Sequence, residues 1–121
     1  MKQTTFNYKP RFAPLVESQK KRTTVRMFIK SKPPKKGDAL QHFTGMRTRK
    51  CRQLLISICR DVQPIKITER GIWLGRRRLS PTEEWWLATG DGFSNQDEFR
   101  AFFRDTYGFP LPGKPHWVAW S

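Results

Sequence analysis

The sequence predicts a single α+β domain over residues 1–121, built as a five- to six-stranded, mostly antiparallel β-barrel with flanking helices. Three observations support this fold class. Short segments of alternating apolar and polar residues, which are typical of strands, recur along the first two thirds of the chain. Two segments with helix-start signals follow them. A last apolar segment at residues 116–120 can then close the sheet, which removes exposed strand edges.

Strands and loops alternate along the first half of the chain. The elements predicted there are a strand at residues 4–8, a short helix carrying Phe12, Leu15 and Val16, a strand at residues 23–29, and a turn and strand at residues 37–43. Residues 30–38 contain two prolines, a glycine and four lysines. This composition predicts a mobile basic loop, which is either an arm that contacts phosphates or a soluble loop without a ligand.

The second half begins with a long apolar segment. Residues 52–60 carry apolar side chains at both alternating positions, which predicts a strand with both faces covered. A further strand over residues 62–68 is expected after a break near Pro64, and it forms a hairpin with residues 72–74. The basic run at residues 75–78 is expected to be a solvated exit from that hairpin.

Two helices are predicted before the final strand. Ser80 and Glu83 match a capping box, and Pro81 lies at the first helical position. The second helix is predicted over residues 96–107, with Gly108 as its stop. The aromatic residues of this helix that are expected to pack in the core are Phe99, Phe102, Phe103 and Tyr107.

The excess positive charge lies in one half of the chain. The formal net charge is +14, yet residues 61–121 balance eight Lys and Arg with eight Asp and Glu, so the excess falls in residues 1–60. A one-sided positive field attracts polyanions, of which nucleic acid is the commonest. No stretch combines a basic face with a continuous apolar face, so a membrane surface is not an expected partner.

Cysteine and histidine placement favours a reducing, cytoplasmic setting without a metal or cofactor. No signal peptide or membrane-spanning segment is recognisable. Cys51 and Cys59 are eight residues apart in one predicted strand, or about 26 Å, which is too far for a disulfide. Two free thiols are therefore expected. His42 and His116 do not complete a metal-ligand pattern with the cysteines.

Residues 19–26 form a basic, hydroxyl-rich segment around which the candidate chemistry is organised. In an extended strand Thr24 and Arg26 point to the same side, with Lys21 just before them. Such a strip suits an anionic or strongly hydrogen-bonding ligand. The simpler alternative is a solvated, basic beginning of a strand.

The segment Gln-Lys-Lys-Arg-Thr-Thr-Val-Arg at residues 19–26 resembles the G-x-K-x-x-T-x-R motif of the ASCH domain family, a barrel related to the PUA domains that bind RNA. The likeness extends to residues 11–18, 37–38, 44–48 and 90–93. Together these segments are similar to the small ASCH proteins encoded by phages and prophages.

The resemblance implies two kinds of activity. ASCH domains are generally regarded as RNA-binding or nucleotide-binding modules, whereas some small bacterial members are amidohydrolases that cleave N4-acetylcytidine. In this sequence the positions that match the catalytic residues of these amidohydrolases are Lys21, Thr24 and, by a looser match, Asp91. Gln19 replaces the family's glycine, which predicts a helix end that is either less tightly turned or more strained. Asp91 is one methylene shorter than the family's glutamate.

The residue chemistry is compatible with the catalytic alternative. A lysine acts as a general base only where burial or neighbouring cations lower its pKa, and Lys20 and Arg22 are such neighbours. Thr24 would be a nucleophile or a hydrogen-bond donor, and Arg26 would hold an oxygen or a phosphate. The structural alternative is an ion pair between Asp91 and Lys21 that braces the mouth of the barrel.

Three functions are therefore expected, with RNA binding first. The residues expected to contact phosphates are Lys20, Lys21, Arg22, Arg26, Arg47, Arg49, Lys50 and Arg52. An exposed aromatic side chain, Trp73 or Trp85, would stack on a base. The alternatives are the N4-acetylcytidine amidohydrolase and a small phage protein that covers an acidic surface of a host protein. Double-stranded DNA is disfavoured because no basic helix is available for a major groove.

Overall fold

A computed structural model describes residues 2–121 and gives an α+β fold of seven strands and three helices. The elements are β1 Gln3–Tyr8, α1 Ala13–Glu17, β2 Thr23–Phe28, β3 Ala39–Thr44, β4 Arg52–Thr68, β5 Gly71–Leu74, β6 Arg77–Arg78, α2 Pro81–Gly90, α3 Gln96–Tyr107 and β7 Lys114–Trp120. The predicted α+β class is confirmed.

The long strand β4 is the centre of a mixed, mostly antiparallel sheet. Its first half pairs with β3, its middle with β7 and its last residues with β5. The remaining pairs are β2 with β7, β5 with β6, and β1 with β3. The pairing of β1 with β3 is parallel. The sheet path therefore runs from β1 through β3 and β4, with β7 and β2 branching from β4.

The predicted closed barrel of five to six strands is wrong. Within residues 2–121 no ladder joins β1 to β2, so the sheet stays open between them. We call this gap the seam. A guanidinium nitrogen of Arg26 on β2 donates to the backbone carbonyl of Asn7 on β1 at 2.9 Å. The Arg26 guanidinium also lies 5.1 Å from the Phe6 ring. Side chains thus fill the space where backbone hydrogen bonds would have closed the barrel.

One further prediction about the second half is wrong, and another is incomplete. No break occurs at Pro64, because β4 continues through it for 17 residues. The irregularity lies earlier, where the register with β7 shifts between Cys59 and Asp61. The basic run at residues 75–78 is solvated as expected, but it also contains β6, whose Arg78 pairs with Trp73 of β5.

The helix boundaries agree closely with the sequence signals. Ser80 Oγ accepts from the Glu83 backbone N–H, and the Glu83 carboxylate accepts from the Ser80 N–H, so the capping box at the start of α2 is confirmed. The Asn95 side chain caps α3, and Gly108 ends it at φ 78°. The predicted start and stop of α3 are therefore confirmed.

The core lies between the sheet and the helices. Its fully buried members include Val16, Leu40, Ile72, Phe99 and Val118. Burying each such side chain contributes roughly 1.5–3 kcal/mol. Of the aromatic face predicted for the core, Phe99 and Phe103 are buried and Phe102 packs against them. Tyr107 is 46% exposed because it lies at the last position of α3, so that part of the prediction is wrong.

The predicted basic loop at residues 30–38 has no helix or strand. The Asp38 carboxylate accepts from the Lys35 backbone N–H at 2.8 Å, and the Gly37 N–H donates to the Cys59 carbonyl. Its mobility stays a prediction. Cys51 is exposed, Cys59 is buried, and both are free thiols. Among residues 2–121 no helix is long and apolar enough to cross a membrane.

Candidate functional site

A pocket of about 240 Å³ opens at the seam, and we call it the seam pocket. Its polar lining residues are Asn7, Lys9, Lys21, Thr24, Arg26 and Asp91. Its aromatic lining residues are Tyr8, Phe12, Phe93, Phe102, Phe103 and Tyr107. The structure therefore brings the four sequence-predicted residues Lys21, Thr24, Arg26 and Asp91 into one pocket.

A strained turn at the end of α1 positions Lys21 in the seam pocket. Gln19, which occupies the position where the ASCH motif has glycine, adopts φ +63°, a left-handed conformation that side chains other than glycine disfavour. The backbone N–H of Lys21 then donates to the Leu15 carbonyl at 2.9 Å. This turn points the Lys21 side chain inward, where it is 3% exposed. The expected strain at Gln19 is confirmed.

Asp91 reaches the pocket because α2 ends beside α1. Asp91 is the C-cap of α2, and the next residue, Gly92, has φ +98°. A Cβ atom at Gly92 would lie only 3.1 Å from the Phe12 ring and 3.2 Å from Leu15. The close approach of the two helix ends therefore requires glycine after Asp91, and it places the carboxylate against Lys21.

Lys21 and Asp91 form a buried ion pair. Lys21 Nζ donates to Asp91 Oδ1 at 2.8 Å, to the Asp91 carbonyl at 2.7 Å and to the Thr23 carbonyl at 2.6 Å. The Thr23 hydroxyl donates to the same Asp91 oxygen at 3.1 Å. The ion pair that the sequence offered as the structural alternative is therefore present. It shares the pocket with the other candidate residues.

The hydrogen bonds define the protonation of this pair. An ammonium group has three protons, and Lys21 Nζ has three acceptors, so the arrangement fits the charged lysine. Burial raises the pKa of Asp91 and lowers the pKa of Lys21, while the attraction between the two charges opposes both shifts. With every N–H committed, Lys21 offers a ligand positive charge, and it has no free lone pair with which to act as a base.

Thr24 and Arg26 form the β2 side of the pocket. Arg26 Nε donates to Thr24 Oγ1 at 3.1 Å, while its terminal nitrogen donates to Asn7 across the seam. The Arg26 guanidinium lies 4.8 Å from the Tyr8 ring. These contacts hold the guanidinium in one orientation at the pocket wall, although the side chain is only partly buried.

A buried hydrogen-bonded chain supports the pocket from behind. The Tyr8 hydroxyl lies 2.9 Å from His42 Nδ1, and His42 Nε2 lies 2.7 Å from Ser57 Oγ. Burial, followed by the charges of Arg26 and Lys21, lowers the pKa of His42 to about 4. Burial also raises the pKa of Tyr8. His42 is therefore neutral near pH 7, and it positions the Tyr8 ring in the pocket.

The other sequence-predicted phosphate contacts lie outside the pocket. Lys20, Arg22, Arg47, Arg49, Lys50 and Arg52 are all exposed. The loop that carries Arg47, Arg49 and Lys50 adjoins the pocket, because the Met46 N–H donates to the Asn7 side chain at 3.1 Å. Arg52 forms an ion pair with Glu17, and Arg22 donates to the Gln19 carbonyl. Their contact with phosphates stays a prediction.

The two tryptophans expected to stack on bases differ in exposure. Trp73 is only partly exposed, and the cations of Lys66 and Arg78 lie 5.3 Å and 5.1 Å from its ring. Trp85 is 42% exposed, and its neighbour Trp86, which sequence reasoning did not single out, is 66% exposed. Stacking on either ring stays a prediction, and Trp73 presents less exposed surface than Trp85.

Sequence reasoning missed most of the aromatic wall of the seam pocket. The sequence predicted Tyr8 only as part of a strand, Phe12 only as part of a short helix and Phe102 only as part of the core. Phe12 and Phe102 nonetheless line the pocket, with their ring centroids 6.2 Å apart, and Lys9 Nζ lies 4.9 Å from the Phe102 ring. The sequence does place two cations, Lys9 and Arg11, just before Phe12, and the Arg11 guanidinium lies 4.5 Å from the Phe12 ring. That spacing alone does not distinguish a pocket from a core.

Within residues 2–121 no group of three or more His, Cys, Asp or Glu side chains is placed to hold a metal ion. Comparison of the chain with protein-family models, with curated proteins and with solved structures finds no match. The site is therefore interpreted from its own geometry.

Proposed function

We propose that this chain is an ASCH-type, PUA-like domain that binds single-stranded RNA and holds one nucleotide in the seam pocket. The observation that carries this proposal is the composition of the pocket. Aromatic rings and fixed cations share one wall, with Arg26 held 4.8 Å from the Tyr8 ring. Proteins that read single-stranded RNA stack splayed bases on aromatic rings and contact phosphates with cations.

The size of the pocket supports a single base as its occupant. At about 240 Å³ it lies just below the range of about 300–1,000 Å³ common for small-molecule sites. One planar base enters such a space edge-on, whereas a duplex does not. The exposed cations on the neighbouring loop, Arg47, Arg49 and Lys50, would hold the flanking phosphates.

The test is fluorescence anisotropy with a labelled 16-nucleotide single-stranded RNA at 50 and 200 mM salt. Contacts to about six phosphates of a single strand predict a loss of affinity of roughly three-hundredfold between the two salt concentrations. Arg26→Gln is expected to weaken binding at least tenfold at 50 mM salt. Arg76→Gln, which removes one exposed cation that does not line the pocket, is the matched control and should change affinity less than threefold.

Two results would contradict RNA binding in the seam pocket. If the affinity hardly responds to salt, the protein does not contact the phosphates as proposed. If Arg26→Gln and Arg76→Gln weaken RNA binding equally, the effect is one of overall charge, and the seam pocket does not bind the RNA. A duplex of the same sequence serves as a further control, and it should bind at least tenfold more weakly than the single strand.

The second candidate function is an amidohydrolase acting on N4-acetylcytidine or a similar acylated nucleoside. The observation that favours it is that Lys21, Thr24 and Asp91, the three positions carried over from the ASCH resemblance, line the same pocket. In this reaction water and the amide are converted to acetate and the free amine. Because its three protons are committed to protein acceptors, the Lys21 ammonium would stabilise negative charge on the acyl oxygen through its positive charge and not through a hydrogen bond.

Mass spectrometry of N4-acetylcytidine incubated with the protein tests this second candidate. Turnover that Thr24→Ser keeps and Thr24→Val abolishes would support a catalytic hydroxyl. Binding of the nucleoside without any turnover by the unaltered protein would reject the enzyme and leave the seam pocket as a recognition site.

A further inference from the structure

A cluster of lysines lies at the end of the seam remote from the pocket. Its members, which we call the lysine end, are Lys2, Lys30, Lys32, Lys35, Lys36 and Lys114, and all six are exposed. Lys2 precedes β1 and Lys30 follows β2, so both lie at the ends of these two strands that are remote from the pocket. The seam pocket takes none of the six as a lining residue.

Contacts between segments hold the lysine end together. Lys2 Nζ donates to the Lys32 carbonyl at 2.8 Å, which ties the start of β1 to the basic loop. Lys114 pairs in register with Phe28 at the end of β2. A Cβ atom at Gly113 would lie 2.7 Å from the Ile29 side chain, so β7 also packs closely at this end. Three separate segments therefore bring their lysines to one surface.

The lysine end has little negative charge to balance it. Within residues 2–121 none of its six lysines forms an ion pair with a carboxylate. The nearby carboxylate of Asp38 offsets only one of the six charges; the Lys35 backbone N–H, together with Lys2, lowers its pKa and keeps it ionised near pH 7. Neighbouring like charges repel one another in the free protein, and an anionic partner would relieve that repulsion.

The distance to the seam pocket follows from strand length. Five residues separate Lys2 from Asn7, and four separate Arg26 from Lys30, and both Asn7 and Arg26 line the pocket. At roughly 3.3 Å per residue, the lysine end begins about 17 Å from the pocket along β1 and about 13 Å along β2. A ligand that reaches both surfaces must therefore be longer than one nucleotide.

We propose that the lysine end is a second phosphate-binding surface that holds the backbone of the same single-stranded RNA whose base occupies the seam pocket. This inference rests on the proposed function. Lysine ammonium groups are flexible point charges without the planar fork of arginine, so they suit a phosphate chain that carries charge but no sequence information. Two linked contacts raise the affinity for a long strand more than either raises it alone.

An anionic membrane is the competing occupant, and the structure disfavours it. Ile29 is 67% exposed next to the cluster, but it is a single side chain. Stable binding at a membrane interface needs a continuous apolar face in addition to cations.

The test compares two triple variants of the full chain that each lose three positive charges. Lys30→Gln, Lys32→Gln and Lys36→Gln remove part of the lysine end. Arg70→Gln, Arg76→Gln and Arg104→Gln remove exposed cations that belong to neither surface. Thermal melting checks that both variants fold. Affinity is then measured by anisotropy for a 16-nucleotide RNA over a salt series and for a dinucleotide, which is too short to span both surfaces.

For the long RNA the lysine variant is expected to reduce the slope of log K against log salt by about 2, since each lost contact to a single strand accounts for about 0.7. The arginine variant should change that slope by less than half as much. The lysine variant should lose affinity only for the long RNA, and its affinity for the dinucleotide should fall less than twofold.

The possible negative results distinguish the proposal for the lysine end from the proposal for the seam pocket. If Arg26→Gln weakens RNA binding but the two triple variants have equal slopes, the lysine end is not a phosphate surface and the seam-pocket proposal stands. If the unaltered protein binds no RNA, both proposals are overturned. Lysine-dependent binding to phosphatidylserine vesicles, with no change in RNA affinity, would overturn the RNA assignment of the lysine end in favour of a membrane.

Discussion

Lys21 Nζ lies 2.8 Å from Asp91 Oδ1, and each of the two side chains is only 3% exposed. This contact joins the turn after α1 to the end of α2, which are 70 residues apart in the chain. Removing a charge from water is costly, and the cost is recovered only when the partner and further hydrogen bonds are in place. The ion pair therefore makes the pocket floor dependent on both residues together.

Asp91→Asn is expected to destabilise the fold by about 3–5 kcal/mol, because it leaves the Lys21 charge buried without its partner. Urea denaturation measures the loss as a change in the free energy of unfolding. The double variant Lys21→Met with Asp91→Leu, which removes both charges, should recover much of that loss.

The matched control for this ion pair is the exposed pair of Arg11 and Glu98, whose side chains are 49% and 38% exposed. Arg11→Gln should cost at most about 1 kcal/mol, because solvent screens the attraction. An Asp91→Asn variant no less stable than Arg11→Gln would show that the buried ion pair does not hold the pocket floor.

The sequence predicted best those features that depend on neighbouring residues. The Ser80 capping box and the Asn95 and Gly108 limits of α3 rest on hydrogen bonds within one turn, so the chain itself encodes them. The grouping of Lys21 with Asp91 came instead from the resemblance to ASCH domains, since spacing alone does not relate residues so far apart.

Features that depend on long-range pairing were predicted less well. Closure of the barrel was wrong because the Asn7 carbonyl takes a donor from the Arg26 side chain, a contact that no local pattern encodes. Pro64 lies inside β4, where its carbonyl still accepts from the Gly75 N–H at 2.8 Å although proline has no N–H to donate. The aromatic wall of the pocket was missed for a related reason, since an aromatic stripe has the same spacing in a core and in a pocket.

Gln19→Gly should stabilise the protein. Gln19 adopts φ +63°, which costs a residue with a side chain about 1–2 kcal/mol, whereas glycine adopts it freely. The greater freedom of glycine in the unfolded chain offsets about 0.4–1 kcal/mol of that gain, so a net gain of about 0.5–1 kcal/mol is expected. Urea denaturation again measures the free energy of unfolding.

The neighbouring residue provides the control for this prediction. Ser18 has φ −81°, an ordinary value, so Ser18→Gly releases no strain. It brings the entropic cost of glycine and loses the 3.3 Å hydrogen bond from Ser18 Oγ to the Leu15 carbonyl, so it should destabilise by about 1 kcal/mol. We therefore expect Gln19→Gly to raise the free energy of unfolding and Ser18→Gly to lower it. Destabilisation by both substitutions would mean that the Gln19 turn carries no releasable strain.

Thr24→Val should weaken RNA binding by about tenfold while leaving the fold intact. Thr24 Oγ1 accepts from Arg26 Nε at 3.1 Å, and valine keeps the side-chain shape but loses the acceptor. A hydrogen bond to a charged group contributes about 1.5–3 kcal/mol, and part of that is lost when Arg26 is no longer held in one orientation. Anisotropy with the 16-nucleotide RNA measures the change.

Thr24→Ser keeps the acceptor and should bind RNA within about threefold of the unaltered protein, because a charged hydrogen bond of the kind lost in Thr24→Val is retained. Combining Thr24→Val with Arg26→Gln should add little to Arg26→Gln alone, since the two residues share one interaction. Additive effects of the two substitutions would show that Thr24 acts on the ligand independently of Arg26.

His42 should make folding stability depend on pH in the range from about 6.5 down to about 4. The ring is fully buried between Tyr8, Ser57 and Trp120, and burial lowers its pKa to about 4, below the value of about 6.5 in the unfolded chain. Between these values the unfolded state binds a proton that the folded state does not. Stability is therefore highest above pH 6.5 and falls as the pH drops, by up to roughly 3 kcal/mol from this group.

Urea denaturation at intervals of half a pH unit measures this dependence. Carboxylates also contribute below pH 5, so the informative quantity is the difference in slope between the unaltered protein and His42→Gln. His116→Gln is the control, because His116 is only partly buried and hydrogen-bonds to the Lys114 carbonyl at the surface. The slope between pH 4 and 6.5 should flatten in His42→Gln and persist in His116→Gln. An equal slope in all three proteins would mean that His42 is protonated in the fold, and that the hydrogen-bonded chain behind Tyr8 then carries a charge.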